Sequence, residues 1–157
     1  MRATMEQAAA VLPASMQVPA SATTGATGPA LTRTMLTELA AKKPDVIVFE
    51  LGDGLIGTYG VDSILLCDDI RNALTSVVLS ANDPVAAWGG VKLLRERFEI
   101  EPAVVTGPAT DNSVGVDIIQ EQMNVKAYNA MTNGAALGDH LIEHIGLSSK
   151  FPAPAAN

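Results

Sequence analysis

Four short apolar runs, each followed by a stretch of helical periodicity, constrain this chain more than any other feature. The runs are DVIVFE at 45–50, TSVVLSA at 75–81, PAVVTG at 102–107 and VKAYNA at 125–130. β-branched residues suit a pleated, buried surface, and valine or isoleucine stands in each run. The runs recur about every 25 to 30 residues, which leaves room for one helix between neighbours. Repeated strand–helix units bury both kinds of apolar face when the strands run parallel and helices cover the sheet. The pattern therefore predicts a Rossmann-like three-layer α/β fold, a parallel sheet of about four to five strands flanked by helices. Aromatic residues are only 4% of the chain, so its core must come from Val, Ile, Leu and Ala.

The helical segments follow from their spacing. Leu31, Met35, Leu36 and Leu39 mark a helix over 31–42, closed by Lys42, Lys43 and Pro44. Val61, Ile64, Leu65, Ile70 and Leu74 mark one continuous helix over 61–74. Asp83-Pro84 is a helix start, with Asp as N-cap and Pro in the first turn. That helix carries Val85, Trp88, Val91, Leu94 and Phe98 as its apolar side. Val116, Ile119 and Met123 belong to a helix over 112–123, with Thr110 or Asp111 as its cap. Leu137, Leu141 and Ile145 form the stripe of a last helix over 135–145.

Residues 1–30 have no sustained period and are rich in Ala, Thr, Ser, Pro and Gly, which reads as a flexible or disordered arm with a short helix at 5–12. TTGATGPALT at 23–32 has the look of a phosphate loop but lacks its lysine and preceding strand. A single α/β domain is expected over 31–147, and a loose tail over 148–157. The net charge of −7 speaks against nucleic acid and anionic membrane as partners, since both repel an acidic chain. No apolar run approaches the roughly 20 residues that span a bilayer. The one cysteine, Cys67, sits in an apolar helical pattern as a small buried hydrophobe, forms no intrachain disulfide, and suits a reducing, cytoplasmic setting.

In a parallel α/β sheet, ligands bind beyond the carboxyl ends of the strands. Those ends fall here at 50–60, 80–84, 106–112 and 129–134, all rich in Gly, Asn or hydroxyl residues. The first is the most distinctive. Gly52-Asp53-Gly54-Leu55-Ile56-Gly57 has the G-x-G-x-x-G spacing of a dinucleotide loop, which points to an NAD(P)-binding, oxidoreductase-like domain. Its acids argue for another use. Glu50 and Asp53 would repel a pyrophosphate docked on backbone amides, yet can hold Mg²⁺ beside a nucleotide, because magnesium takes one or two carboxylates and fills its other positions with water and phosphate oxygens. Gly52, Gly54 and Gly57 would let the backbone pass close to the bound group. Thr106 and Asn112 on the third loop offer hydrogen bonds to a base or sugar, as do Asn129 and Asn133 on the fourth. Elsewhere His140 and His144, spaced i, i+4, share one helix face, but two histidines make an incomplete metal site and read as a solvated edge. No nucleophile elbow and no C-x-x-C is present.

A strand, Glu50-x-Gly52-x-Gly54-Leu55, a helix, an apolar strand ending in small polar residues, a glycine-containing helix, and Val104-Val105 before an Asn/Pro turn together resemble the C-terminal half of the dethiobiotin-synthetase-like P-loop NTPases. The resemblance covers roughly 45–130. It implies a Mg²⁺-binding role for Glu50 and a nucleotide-base contact for 106–112. The family's G-x-x-x-x-G-K-[S/T] loop is missing, and with it the main holder of the β/γ-phosphates. The expected function is thus binding of a nucleotide or phosphorylated small molecule around 50–60, as half of a P-loop-type site, with a homo-oligomer or a partner chain completing it. A non-catalytic oligomeric assembly module is the remaining reading, since the edge strands of a parallel sheet invite pairing.

Overall fold

The computed structural model describes residues 27–147 apart from Asp53 and Tyr59. The expected helix at 5–12, most of the N-terminal arm and the tail at 148–157 lie outside the described residues. The chain divides into two compact units, Met1–Ala73 and Leu74–Asn157.

The regular structure among the described residues of the first unit is helical. Helix α1 (Thr27–Ala40) begins four residues earlier than its leucine pattern suggests and buries Gly28, Pro29 and Thr32. Gly28 is the close contact: a Cβ there would stand 3.4 Å from the Ile64 side chain. The chain leaves α1 through hydrogen bonds from Lys42 and Lys43 to the carbonyls of Leu39 and Ala40, with Lys43 at φ 53°. The helix expected over 61–74 is broken. It forms α2 (Val61–Leu65) and α3 (Asp68–Ala73), separated at Leu66 and Cys67. The break lets Val61, Ile64, Leu65 and Ile70 all be buried. Cys67 lies in it, half-buried with a free thiol. Arg33 of α1 clamps Asp69 of α3 with two bonds of 2.6 and 2.8 Å.

The expected strand at 45–50 does not form. No described residue there joins a sheet; Val46 and Val48 stand 42% and 47% exposed, and Glu50 is exposed. The run has the composition of a strand but is paired with no strand among the described residues, and without a ladder β-propensity alone does not make one.

The second unit holds the sheet. Strands β1 (Val78–Ser80), β2 (Val104–Thr106) and β3 (Lys126–Ala127) are parallel and lie in chain order. The register pairs Val78, Leu79 and Ser80 with Val104, Val105 and Thr106, and Val104 and Val105 with Lys126 and Ala127. The sheet therefore has three strands among the described residues rather than four to five. Its connections carry α4 (Pro84–Arg97) and α5 (Ser113–Met123). With strands in sequential order and crossovers of one hand, both helices fall on one face. The core agrees: Ala87 and Val91 of α4 and Ile119 and Met123 of α5 cluster with Val105 and Ala127 of the sheet. A last helix, α6 (Gly134–His144), follows β3.

The apolar side of α4 holds in part: Val91, Leu94 and Phe98 are buried as its pattern predicts. Val85 and Trp88 of α4 are 78% and 53% exposed, whereas Ala87, Gly90, Val91 and Leu94 are buried. Helix α4 runs so close to β1 that a Cβ on Gly90 would lie 2.8 Å from the Leu79 side chain. Small residues must face the strand there, which rotates the large ones outward. The caps came through as read at one end and shifted at the other. Asp83 accepts from the Ala86 N–H at 2.8 Å. The cap of α5 is Asn112, which accepts from Gly115 N–H at 2.9 Å, and not Thr110 or Asp111. At the end of α4, Glu99 takes φ 56° and Ile100 N–H bonds back to the Leu94 carbonyl at 2.9 Å, a left-handed closure made without glycine.

Candidate functional site

Parallel pairing brings three of the four predicted rim loops to one edge of the sheet. Ala81 N–H donates to the Thr106 carbonyl, Ala109 N–H to the Ala81 carbonyl, and Tyr128 N–H to the Val105 carbonyl, at 2.9, 2.9 and 3.1 Å. The loops after β1, β2 and β3 are thereby laced together at the strands' carboxyl ends.

The tightest approach is at Gly107. Its φ is +87°, and a Cβ there would lie 2.6 Å from Ser80 Oγ and 2.8 Å from the Ala81 carbonyl oxygen. Only glycine fits both the conformation and the space. Behind it, Pro108–Thr110 makes one 3₁₀ turn. Gly115 in the first turn of α5 is equally obligatory, because an added Cβ would overlap the Ala109 carbonyl oxygen. These two glycines let the turn sit directly on the strand ends. Their signal in the sequence was only their place next to a polar turn.

Asn129 fastens the edge from the β3 side. Its amide Nδ2 donates to Asp111 Oδ1 at 2.9 Å and to the Thr110 carbonyl at 3.3 Å. Its Oδ1 accepts from the N–H groups of Met131 and Thr132, each at 2.9 Å. Thr110 Oγ1 donates to the Gly107 carbonyl at 2.7 Å. These side chains are committed to building the loops. Asn112 is also committed through its oxygen, to the α5 cap.

Thr106 differs. It ends the central strand, is 8% exposed, and its hydroxyl has no hydrogen-bond partner. A buried, unsatisfied hydroxyl costs roughly 1–3 kcal/mol, so its position at the carboxyl edge of the sheet calls for a reason. The one comparable orphan among the described residues, Ser76 Oγ, precedes β1 at the opposite end of the strands.

The other predicted site residues lie in the first unit. Gly57 N–H bonds to the Gly54 carbonyl at 2.9 Å, closing a turn with Ile56 at its tip, 77% exposed. A Cβ on Gly52 or Gly54 would meet nothing within 4 Å. Glu50 is an exposed carboxylate, and Asp53 lies outside the described residues. Among the described residues no three His, Cys, Asp or Glu side chains gather as metal ligands. His140 and His144 have ring centroids 6.2 Å apart, but His140 is half-buried, its Nε2 3.1 Å from the Ala103 carbonyl and its ring 5.7 Å from Tyr128. It ties α6 to the sheet, so the expected solvated edge holds only for the exposed His144.

A shallow groove of about 210 Å³ lies away from the edge, between α4 and α5, beside Trp88, Lys92, Arg95 and Gln122. Its charges are already spent: Lys92 pairs with Glu96 at 3.0 Å, and Arg95 bonds Glu101 at 2.7 Å and the Met123 carbonyl at 2.9 Å. The hydrogen bonds from Arg95 hold the Glu101 carboxyl below the usual carboxylate range. No protein-family model, curated protein or solved structure matches the chain. No helix among the described residues is long and apolar enough to cross a membrane.

Proposed function

We propose that the second unit receives a small-molecule ligand at the carboxyl edge of its sheet, and that the ligand is a nucleotide or another phosphorylated small molecule. The location rests on Thr106: a buried hydroxyl without a partner, at the end of the central parallel strand, where α/β sheets take their ligands. The ligand class rests on the sequence resemblance across 45–130. In the first unit, taken by itself, Glu50 and Asp53 are candidate Mg²⁺ ligands, and an exposed carboxylate such as Glu50 suits magnesium, which keeps several waters. A metal held there would supply charge neutralisation to a phosphate bound beside it. No lysine-bearing glycine loop accompanies Glu50, so a partner chain or a second copy would supply the remaining phosphate contacts.

Calorimetry with ATP, GTP and NAD(P)H, each with and without Mg²⁺, tests the reading. The expected result is Mg²⁺-dependent nucleotide binding that Glu50→Gln weakens and Thr106→Val weakens independently. Tight NADH binding without metal, lost in Gly54→Ala, would replace it with the oxidoreductase-like alternative. A stable oligomer whose melting no nucleotide or cofactor moves would favour the assembly module.

A further inference from the structure

Three hydroxyl-bearing residues stand at the carboxyl ends of the strands: Ser80 and Thr106 close β1 and β2, and Tyr128 follows β3. Ser80 and Thr106 are register partners, so their side chains leave the same face of neighbouring strands, about 4.8 Å apart. Tyr128 continues the row. It follows Ala127, the partner of Val105, and alternation turns its side chain to the Thr106 face. Ser80 is exposed, Thr106 is buried with its hydroxyl unpartnered, and Tyr128 is half-buried with its ring beside His140.

The charge of the edge is as informative as its hydroxyls. The loops at 80–84, 106–112 and 129–134 contain no lysine or arginine, and their charged residues are Asp83 and Asp111. Carboxylates at this edge repel a phosphate, and nothing there replaces its counter-ions. The α4 N-terminus carries its own carboxylate cap, Asp83. Hydroxyls donate and accept, carboxylates accept, and an aromatic ring offers an apolar face. That set matches a sugar, whose hydroxyls need both donors and acceptors and whose C–H face packs on a ring.

We propose that the Ser80–Thr106–Tyr128 row takes the uncharged, hydroxyl-bearing part of the ligand, a sugar, and that any phosphate the ligand carries lies away from this edge. The proposal rests on the ligand-binding reading above and narrows it. Thr106 is the specificity-determining residue, because its hydroxyl has no use until the ligand's hydroxyl meets it.

The test is an NMR titration of the ¹⁵N-labelled full-length chain with D-ribose, D-ribose 5-phosphate, inorganic phosphate and ATP, following the amides of Gly107 and Tyr128. Ribose is expected to shift both amides with a millimolar dissociation constant. Ribose 5-phosphate should bind no more tightly, and inorganic phosphate should leave both unmoved. Thr106→Val should weaken ribose at least about tenfold, with Thr106→Ser retaining it. Tighter binding of ribose 5-phosphate, or a shift with inorganic phosphate, overturns the sugar assignment. ATP shifting the two amides while ribose does not overturns the sugar assignment and leaves the ligand-binding reading standing. If no probe moves them, both fall.

Discussion

Replacing Thr106 by valine should make the protein more stable and less able to bind. The side chain is 8% exposed and its hydroxyl meets no partner. Removing an unsatisfied buried hydroxyl returns roughly 1–3 kcal/mol of desolvation penalty. The methyl that replaces it is nearly the same size and adds apolar burial worth up to about 0.8 kcal/mol. Crowding from the slightly larger methyl takes part of this back, so the net expectation is a gain of about 1–2 kcal/mol. Urea unfolding should show a higher midpoint with an unchanged slope, and the melting temperature should rise by about 2–8 °C. Thr106→Ser separates the two terms. It keeps the hydroxyl and loses a buried methyl, so it should cost about 1 kcal/mol and leave binding in place. A loss of 1 kcal/mol or more in Thr106→Val would refute the reasoning, because it would mean that the hydroxyl is already bonded in the free protein. Stability gained by deleting a polar group is the usual mark of a group kept for function.

The glycines give a paired test: Gly107→Ala forces a side chain into φ +87° and against Ala81, and should cost about 2 kcal/mol or more in chemical unfolding, whereas Gly52→Ala and Gly54→Ala meet open space and should stay within about 0.5 kcal/mol. If Gly107→Ala is neutral, the strand ends are not as close as described. Asp83→Ala and Asn112→Ala each remove a cap bond, of 2.8 and 2.9 Å, and should each lower stability by about 1 kcal/mol, additively. Hydrogen bonds from Arg33 lower the Asp69 pKa from 3.8 to about 2. A depressed carboxylate pKa contributes stability that is present above pH 3.8 and lost as pH falls through about 2, so a carbon-detected titration should place Asp69 near 2 and Arg33→Ala should return it toward 3.8. An unchanged Asp69 titration in Arg33→Ala would remove the ion pair as the cause. Because both partners are exposed, added salt should shrink the effect.

The strands and caps of the second unit were legible because local chemistry and tertiary packing agree there. Val104 and Val105 are fully buried in the central strand, and Asp83-Pro84 opens α4 as its residue types dictate. The first unit was less legible for the same kind of reason. DVIVFE reads as a strand by composition, but a strand exists only with a neighbour, and β-propensity says nothing about whether one is supplied. The leucine spacing across 61–74 likewise conceals a break at Leu66 and Cys67, because two short helices and one long one can bury the same residues.

The candidate site shows the same division at the scale of single residues. Asn112 and Asn129 are polar groups on a rim, yet the Asn112 oxygen caps α5, and Asn129 bonds the Asp111 carboxylate and the backbone of its own loop. Polar composition alone therefore marks where a rim is, not which of its groups are available. Availability is settled by counting bonds, and that count leaves Thr106 unsatisfied on the central strand, with Ser80 on one side and Tyr128 on the other. The loops that frame it are built without a single cation. In the sequence, the glycine-rich acidic loop at 50–60 points toward phosphate. At this edge the bonding and charge of the residues argue for the uncharged end of a ligand, and inorganic phosphate against ribose is the comparison that decides between them.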